Sequence, residues 1–309
     1  MTPDSWWSKR TGCAKALMAE SFRQGMGRPD GMERRLAAAL GDLLARPGSL
    51  TRAVTAYLVG IQMGVPEGRA RAMACGIEYL HTASLVFDDL PAMDDARVRR
   101  GMPTLHVLHG EGVAMLAALA MINRGYTLLW QGMGQASAGR RELAGEWVDR
   151  CLGTHGMIGG QSHDLGGWRD GQSVADVSEV AARKTGDLLR LTIVLPAMVG
   201  RGSEREIQLL DRLALLRGLA YQAADDVKDV IGGAGKSAGR DEELGRPNLV
   251  AAEGFHNAVA RLGRLVEIGD RVQRMLPGPA ERWGMLAPLR VGVPEGVEAI
   301  GLSLGSAVV

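Results

Sequence analysis

Two short aspartate-rich segments constrain this chain more than any other feature. Leu85-Val86-Phe87-Asp88-Asp89-Leu90-Pro91-Ala92-Met93-Asp94 and Tyr221-Gln222-Ala223-Ala224-Asp225-Asp226-Val227-Lys228-Asp229 are both embedded in apolar, helix-forming sequence. Adjacent carboxylates are unfavourable there unless cations neutralise them. Carboxylate pairs with few His or Cys nearby suit a hard, oxygen-seeking ion, and Mg²⁺ in particular is usually held by one or two carboxylates plus substrate phosphates. Two such clusters, each preceded by an apolar helix of the same character, read as two sides of a site that grips a diphosphate through Mg²⁺.

The remaining sequence describes a scaffold for them. Of 309 residues 46% are hydrophobic and only 4% aromatic; abundant Ala, Leu, Met and Arg favour helices over strands. A length of this order allows one substantial core. A formal net charge of +1 gives no reason to expect nucleic acid or an anionic membrane as partner. Cys13, Cys75 and Cys151 are scattered singly, which argues for a reducing compartment and a cytoplasmic protein. No uninterrupted apolar stretch approaches the roughly 20 residues that span a bilayer. The N-terminus, with Trp6, Trp7, Lys9 and Arg10, lacks an apolar signal region.

Hydrophobic periodicity and Gly/Pro punctuation predict helices over 32–44 and 50–64, joined across Pro47-Gly48, then over 66–90, 104–131, 140–165, 173–199 and 205–231. Pro91 ends or bends the third of these. The charged stretch 94–103 reads as a loop, and the glycine-rich stretch 232–239 as a flexible one. With no repeat, linker or composition shift, residues 1–309 are expected to form one single-domain all-α helical bundle.

Several cations accompany the carboxylates. Arg99-Arg100-Gly101 follows the first segment directly, and arginine forks suit phosphate oxygens. Arg183-Lys184-Thr185-Gly186 and Lys236 in the glycine-rich loop offer further phosphate donors. Asp225 and Asp229 share one helix face, with Asp226 about 100° round. His81 lies two helical turns before Asp88 on nearly the same face, and reads equally as a structural histidine or a site residue. Gly159-Gly160-Gln161 reads equally as helix–helix packing or as a polar group facing the cavity.

In this order, these segments resemble the trans-isoprenyl diphosphate (polyprenyl) synthase family over residues from about 37 to 255. Residues 78–104 resemble its first aspartate-rich region in the bacterial form with two extra residues, and Tyr221 to Asp229 with Gly235-Lys236 the second. Gly160-Gln161 and Lys184-Thr185-Gly186 fall where the family has GGQ and KTG motifs. Ala83-Ser84 and the Asp94-Asp95-Ala96 segment are most similar to bacterial carotenoid-type geranylgeranyl diphosphate synthases. The resemblance implies a homodimer of all-α bundles that uses three Mg²⁺ ions. Asp88 and Asp94 would bind two of them and Asp225 the third, supported by Asp89, Asp226 and Asp229. Arg99, Lys184 and Lys236, with Gln161 nearby, would hold an allylic diphosphate; Arg52, Arg100 and His81 would hold isopentenyl diphosphate. Asp88, Asp89, Asp94, Asp225, Lys184 and Lys236 would carry the catalysis, and the small Ala83 and Ser84 would set product length at C20.

One position departs from the family pattern. Its GGKxxRP segment corresponds to Pro47-Gly48-Ser49-Leu50-Thr51-Arg52-Ala53, with Ser49 in place of lysine, which exchanges a full charge and three donors for one hydroxyl. That loss is the one feature favouring a terpene cyclase that uses a single allylic diphosphate. Intact acidic segments oppose the other alternative, a non-catalytic partner subunit.

Overall fold

The composition is realised almost entirely as helix. A computed structural model describes residues 3–27, 31–166, 173–231 and 246–294. Its helices are α1 (Pro3–Gln24), α2 (Arg34–Ala45), α3 (Thr51–Gln62), α4 (Glu67–Asp88), α5 (Leu105–His109), α6 (Glu111–Met133), α7 (Ala138–Leu152), α8 (Met157–Asp164), α9 (Val174–Ala181), α10 (Asp187–Val199), α11 (Glu204–Ile231), α12 (Leu249–Glu253) and α13 (Phe255–Arg274). A π-helical turn, Ala182–Gly186, joins α9 to α10, and a 3₁₀ segment, Ala280–Leu289, follows α13. The only strands among the described residues are β1 (Val98–Arg99) and β2 (Met102–Pro103), an antiparallel pair. The all-α expectation holds.

The chain divides into two compact units: Met1–Gly145 with Leu191–Glu204 and Pro279–Leu286, and Glu146–Arg190 with Arg205–Gly278 and Ala287–Val309. The first is built on α4, which packs along α6 and against α3 and α1. The α4–α6 crossing depends on glycine, since a Cβ at Gly76 would lie 2.8 Å from the Gly125 carbonyl oxygen. The sequence reading assigned no helix to α1. It buries Trp7, Ala14, Met18 and Phe22, and its Phe22 carbonyl accepts the Tyr79 hydroxyl of α4 at 2.7 Å. α6 is long and apolar. By length and composition it could cross a bilayer, with a mean hydropathy of 1.3 over its best window; Arg124 interrupts the apolar run without lowering the average enough. That arginine donates to the Gly25 carbonyl at 2.6 Å, tying α6 to the α1 end of the same unit.

The second unit packs α9, α11, α12 and α13 through Val177, Ala220, Ala223, Val227, Leu249, Phe255, Ala258, Leu262 and Val266. Arg217 lies within it, paired with Asp270 at 2.7 Å.

Three predicted helices are interrupted. The one over 104–131 breaks at Gly110, whose φ of 81° suits glycine; that over 140–165 breaks between α7 and α8, at Gly153 to Gly156; that over 173–199 accommodates the π turn.

Candidate active site

In the first unit the carboxylates form where α4 ends. Asp88 is its last residue and Asp89 its C-cap. The chain then folds back: the Asp94 N–H donates to the Asp88 carbonyl at 3.0 Å, Asp95 to Leu90 at 3.0 Å and Ala96 to Asp89 at 3.2 Å. The hairpin that follows turns on Arg100 and Gly101, with φ of 54° and 75°, the positive-φ pair that tight hairpins favour. It returns Arg99 to Asp89. The Arg99 Nε donates to both carboxylate oxygens at 2.8 and 3.0 Å, and Nη2 lies 2.7 Å from Oδ1. Burial works against the Arg99 charge, but the hydrogen bond and charge of Asp89, with Asp88 and Asp94 behind them, hold the guanidinium more firmly protonated than usual. Asp89 is 5% exposed. Its carboxylate is tied to Arg99. Asp88 and Asp94 remain half-buried.

A second cluster in this unit surrounds the start of α3. Leu50, its N-cap, has a left-handed backbone and offers no side-chain cap. Glu78 of α4 compensates by accepting the Ala53 N–H at 3.1 Å. Arg52 Nη1 lies 3.1 Å from His81 Nε2. A guanidinium can only donate, so Nε2 accepts and the imidazole proton sits on Nδ1, which is buried without a partner. Burial, then the charges of Arg52, Arg100 and Arg99, push the His81 pKa well down, so the ring is neutral. Burial pushes the Glu78 carboxyl up, against Arg52, the Ala53 N–H and Arg100. A Cβ at Gly48 would overlap the Arg100 guanidinium. Gly48, Arg52, His81 and Arg100 are thus brought together. Ser49 is exposed, and its Oγ accepts the Thr51 hydroxyl at 3.0 Å, a turn within its own segment.

The two small residues expected to set product length differ. Ala83 is fully buried. Ser84 is half-buried, donates to the His81 carbonyl at 2.8 Å, and lies one helical turn before Asp88 on its face, whereas Ala83 is about 140° round. Of the two, Ser84 lies nearer the face of Asp88.

In the second unit α11 presents Asp225 and Asp229, both half-buried. Asp226, 1% exposed, accepts the Gln222 amide at 2.9 Å and the Leu249 N–H at 2.8 Å. Thr185 donates to Gln222 Oε1 at 3.3 Å. Lys184, beside it in the π turn, pairs with Asp164 at 2.8 Å, and the Asp164 carbonyl accepts Arg246 at 3.2 Å. π turns are frequent at functional sites. This one is held between glycines: a Cβ at Gly160 would lie 2.6 Å from the Lys184 nitrogen, and one at Gly218 2.6 Å from the Gly186 Cα. Gly160 is therefore a packing residue, with Gln161 half-buried beside it. Lys236 and its loop lie outside the described residues. Sequence reasoning missed Glu78, Asp164, Gln222 and Arg246; Asp164, one helical turn after Gln161, and Gln222, one turn before Asp226, carried local signals.

Among the described residues no three His, Cys, Asp or Glu side chains converge into a metal cage of protein ligands alone. Asp88 and Asp94 in the first unit, and Asp225 and Asp229 in the second, are half-buried; each pair offers hard oxygen donors of the kind that suits Mg²⁺ completing its coordination with phosphate oxygens.

The sequence model of the family described as polyprenyl synthetase matches residues 33–271. Geranylgeranyl pyrophosphate synthase 9 of Arabidopsis thaliana chloroplasts is 35% identical over 219 residues, 66% of this chain and 60% of that protein. Farnesyl diphosphate synthase of Escherichia coli K12 is 34% identical over 225 residues, 71% of this chain and 75% of that one. The chain spans between 55% and 64% of the length of the Arabidopsis relatives. An FPP/GFPP synthase structure from Zymomonas mobilis superposes with a TM-score of 0.77 at 22% identity, covering 91% of this chain and 96% of that one. A Helicobacter pylori geranyltransferase complexed with magnesium and isoprenyl diphosphate gives 0.73 at 22% identity, covering 88% and 93%. These two structures share the fold.

Proposed function

The chain belongs to the polyprenyl synthetase family, and we propose that it is a trans-prenyltransferase that joins isopentenyl diphosphate to an allylic diphosphate, with geranylgeranyl diphosphate as product. The observation that carries this reading is the cluster of Arg52, neutral His81 and Arg100 about Gly48. A cyclase acting on one allylic diphosphate needs a single anion site. A condensing enzyme needs a second, and these residues supply one apart from the carboxylates.

Asp88, Asp94 and Asp225, with Asp229, are the residues that would hold Mg²⁺, which neutralises a departing diphosphate. The chain's own cations act beside them. Arg99, held on Asp89 through Nε and Nη2, and Lys184, held on Asp164, supply fixed positive charge. As the allylic C–O bond breaks, these fixed charges stabilise the leaving group. Arg52 and Arg100 hold isopentenyl diphosphate so that its alkene adds to the cation. The departed diphosphate takes the proton that the adduct loses, so His81 serves by orienting Arg52 rather than as a base. Small Ser84 leaves room for a C20 tail, while the Tyr79–Phe22 ring pair lies farther down α4. Leu116, Leu119, Tyr126 and Trp130 leave one apolar face of α6 exposed, which favours a homodimer. Singly placed cysteines favour the cytoplasm.

The test is purified protein with labelled isopentenyl and allylic diphosphates, with and without Mg²⁺. The expected outcome is Mg²⁺-dependent elongation to C20. A cyclic hydrocarbon from the allylic substrate alone would establish the cyclase instead, and no product the non-catalytic subunit. Ser84→Tyr should shorten the product to C15, read by chromatography of the dephosphorylated chains. A C20 product from active Ser84→Tyr would remove that residue from the tail's path.

A further inference from the structure

We infer that Arg190 and Asp211 form a register lock that holds the π turn, and with it Lys184, in place; both are positioning residues for the allylic diphosphate. This rests on the prenyltransferase reading, which assigns Lys184 to that substrate.

A π turn carries one residue more than the α-helical turn it replaces, and such turns are rare. Relaxing Ala182–Gly186 to α-helix would rotate one flank against the other by about 100° and shift it by about 1.5 Å. Lys184, in the middle of the turn, would then leave Asp164, which it meets at 2.8 Å. The chain beyond the turn must therefore be held against rotation. The glycine contact does not do this. A Cβ at Gly218 would lie 2.6 Å from the Gly186 Cα, so the first turn of α10 touches α11 there, but two glycines offer no side chain that resists turning.

Arg190 supplies the resistance. It follows Gly186 by four residues, and Asp211 precedes Gly218 by seven, so each lies on nearly the same helix face as its glycine. The two rows meet in antiparallel sense, with Arg190 Nε 2.7 Å from Asp211 Oδ1. That approach is off the N–H direction, so it is an attraction of charges rather than an aligned hydrogen bond. Asp187, one turn back on α10 and 5% exposed, accepts from Arg190 Nη1 at 2.9 Å and sets the direction of the guanidinium. Burial works against the Arg190 charge, but the Asp187 hydrogen bond and the charges of Asp211 and Asp187 keep it more firmly protonated than usual. The glycine pair thus fixes the distance between the two helices, and the ion pair fixes their rotation.

The test begins at Asp211, which is half-buried, so that Asp211→Asn removes charge with little risk to folding. It should raise KM for the allylic diphosphate about fivefold, an ion pair's worth, and leave KM for isopentenyl diphosphate unchanged. Arg190→Gln should act in the same direction. Asp211→Glu keeps the charge and should restore most of the affinity. In a Lys184→Gln background Asp211→Asn should add no further loss, because the group it positions is gone. Losses that add in full, or an allylic KM in Asp211→Asn equal to that of wild type, would overturn the inference and leave the pair a contributor to stability alone. Amide hydrogen exchange over residues 183–188, measured without substrate, should quicken in Asp211→Asn and not in Asp211→Glu. Unchanged exchange in Asp211→Asn would refute the lock itself. Because exchange needs no turnover, a wild type that never elongates would defeat the prenyltransferase reading while exchange still decides the lock.

Discussion

At its first aspartate pair the chain has just run out of helix, whereas the second pair lies inside α11 with helix on either side. The local backbones differ, yet both divide the work alike. Asp89 and Asp226 turn inward, at 5% and 1% exposure, while Asp88 and Asp225 stay half-open. Successive helical side chains point about 100° apart, so one of an adjacent pair can turn inward while the other stays at the surface. Their partners include different groups: Asp89 meets the cation of Arg99, and Asp226 accepts from the Gln222 amide and the Leu249 N–H. In each adjacent pair one carboxylate is thus half-buried and the other is buried against groups of its own unit.

The largest effect expected from this division is on turnover. Asp88→Asn and Asp225→Asn should each lower kcat by about 10²–10⁴, since each removes charge from the place where leaving-group charge develops. Both should also raise the Mg²⁺ concentration needed for half-maximal rate. Asp89→Asn should leave that concentration near the wild-type value. Titrating Mg²⁺ against rate in the three variants checks the contrast, and a Mg²⁺ requirement that shifts equally in all of them would break it.

Stability should sort the inward pair by the charge of their partners. Asp89→Ala strands a partly buried guanidinium and should cost about 3 kcal/mol. Asp226→Ala strands neutral donors and should cost about 2 kcal/mol. Urea unfolding of both variants measures the difference. An Asp89→Ala protein as stable as wild type would mean that Arg99 finds another carboxylate, with Asp88 and Asp94 the nearest candidates.

Much of this was legible in the sequence because it depends on local pattern. The apolar periodicity of α2, α3, α4 and α11 placed both acidic segments on helices, and Pro91 placed the end of α4. Which aspartate of each pair turns inward was not legible, because that is decided by partners remote in the chain: Arg99 returning across a hairpin, and the Leu249 N–H on another helix. The pairing of Lys184 is hidden for the same reason, its partner Asp164 lying across the fold. α1 escaped because its buried stripe of Trp7, Ala14, Met18 and Phe22 is diluted among polar residues. Gly110 escaped because one glycine inside an apolar helical pattern is ordinarily tolerated. In α13, by contrast, Phe255, Ala258, Leu262, Val266 and Val272 recur at helical spacing and could have been read.

The smallest expected effect concerns protons, and it belongs to the first region alone. His81 accepts from Arg52 and is surrounded by the charges of Arg52, Arg100 and Arg99, so its folded pKa lies well below the ordinary 6.5. As pH falls through the ordinary value, the unfolded chain takes up a proton that the folded chain refuses. His81 therefore leaves the protein at full stability above that pH and lowers it below, with a slope of at most about 1.4 kcal/mol per pH unit. Glu78 works in the opposite sense. Burial raises its pKa above 4.5, so its contribution is full below that value and is lost as pH rises through the folded one. The two slopes partly cancel where their windows meet, which keeps the net effect small in wild type. His81→Gln separates them, because its amide oxygen still accepts from Arg52 but does not titrate. Urea midpoints measured from about pH 7.5 down to about pH 5.5 should fall in wild type and stay flatter in His81→Gln. Parallel curves would show that the imidazole is charged in the folded state, and the neutral-acceptor role assigned to it beside Arg52 would have to be abandoned.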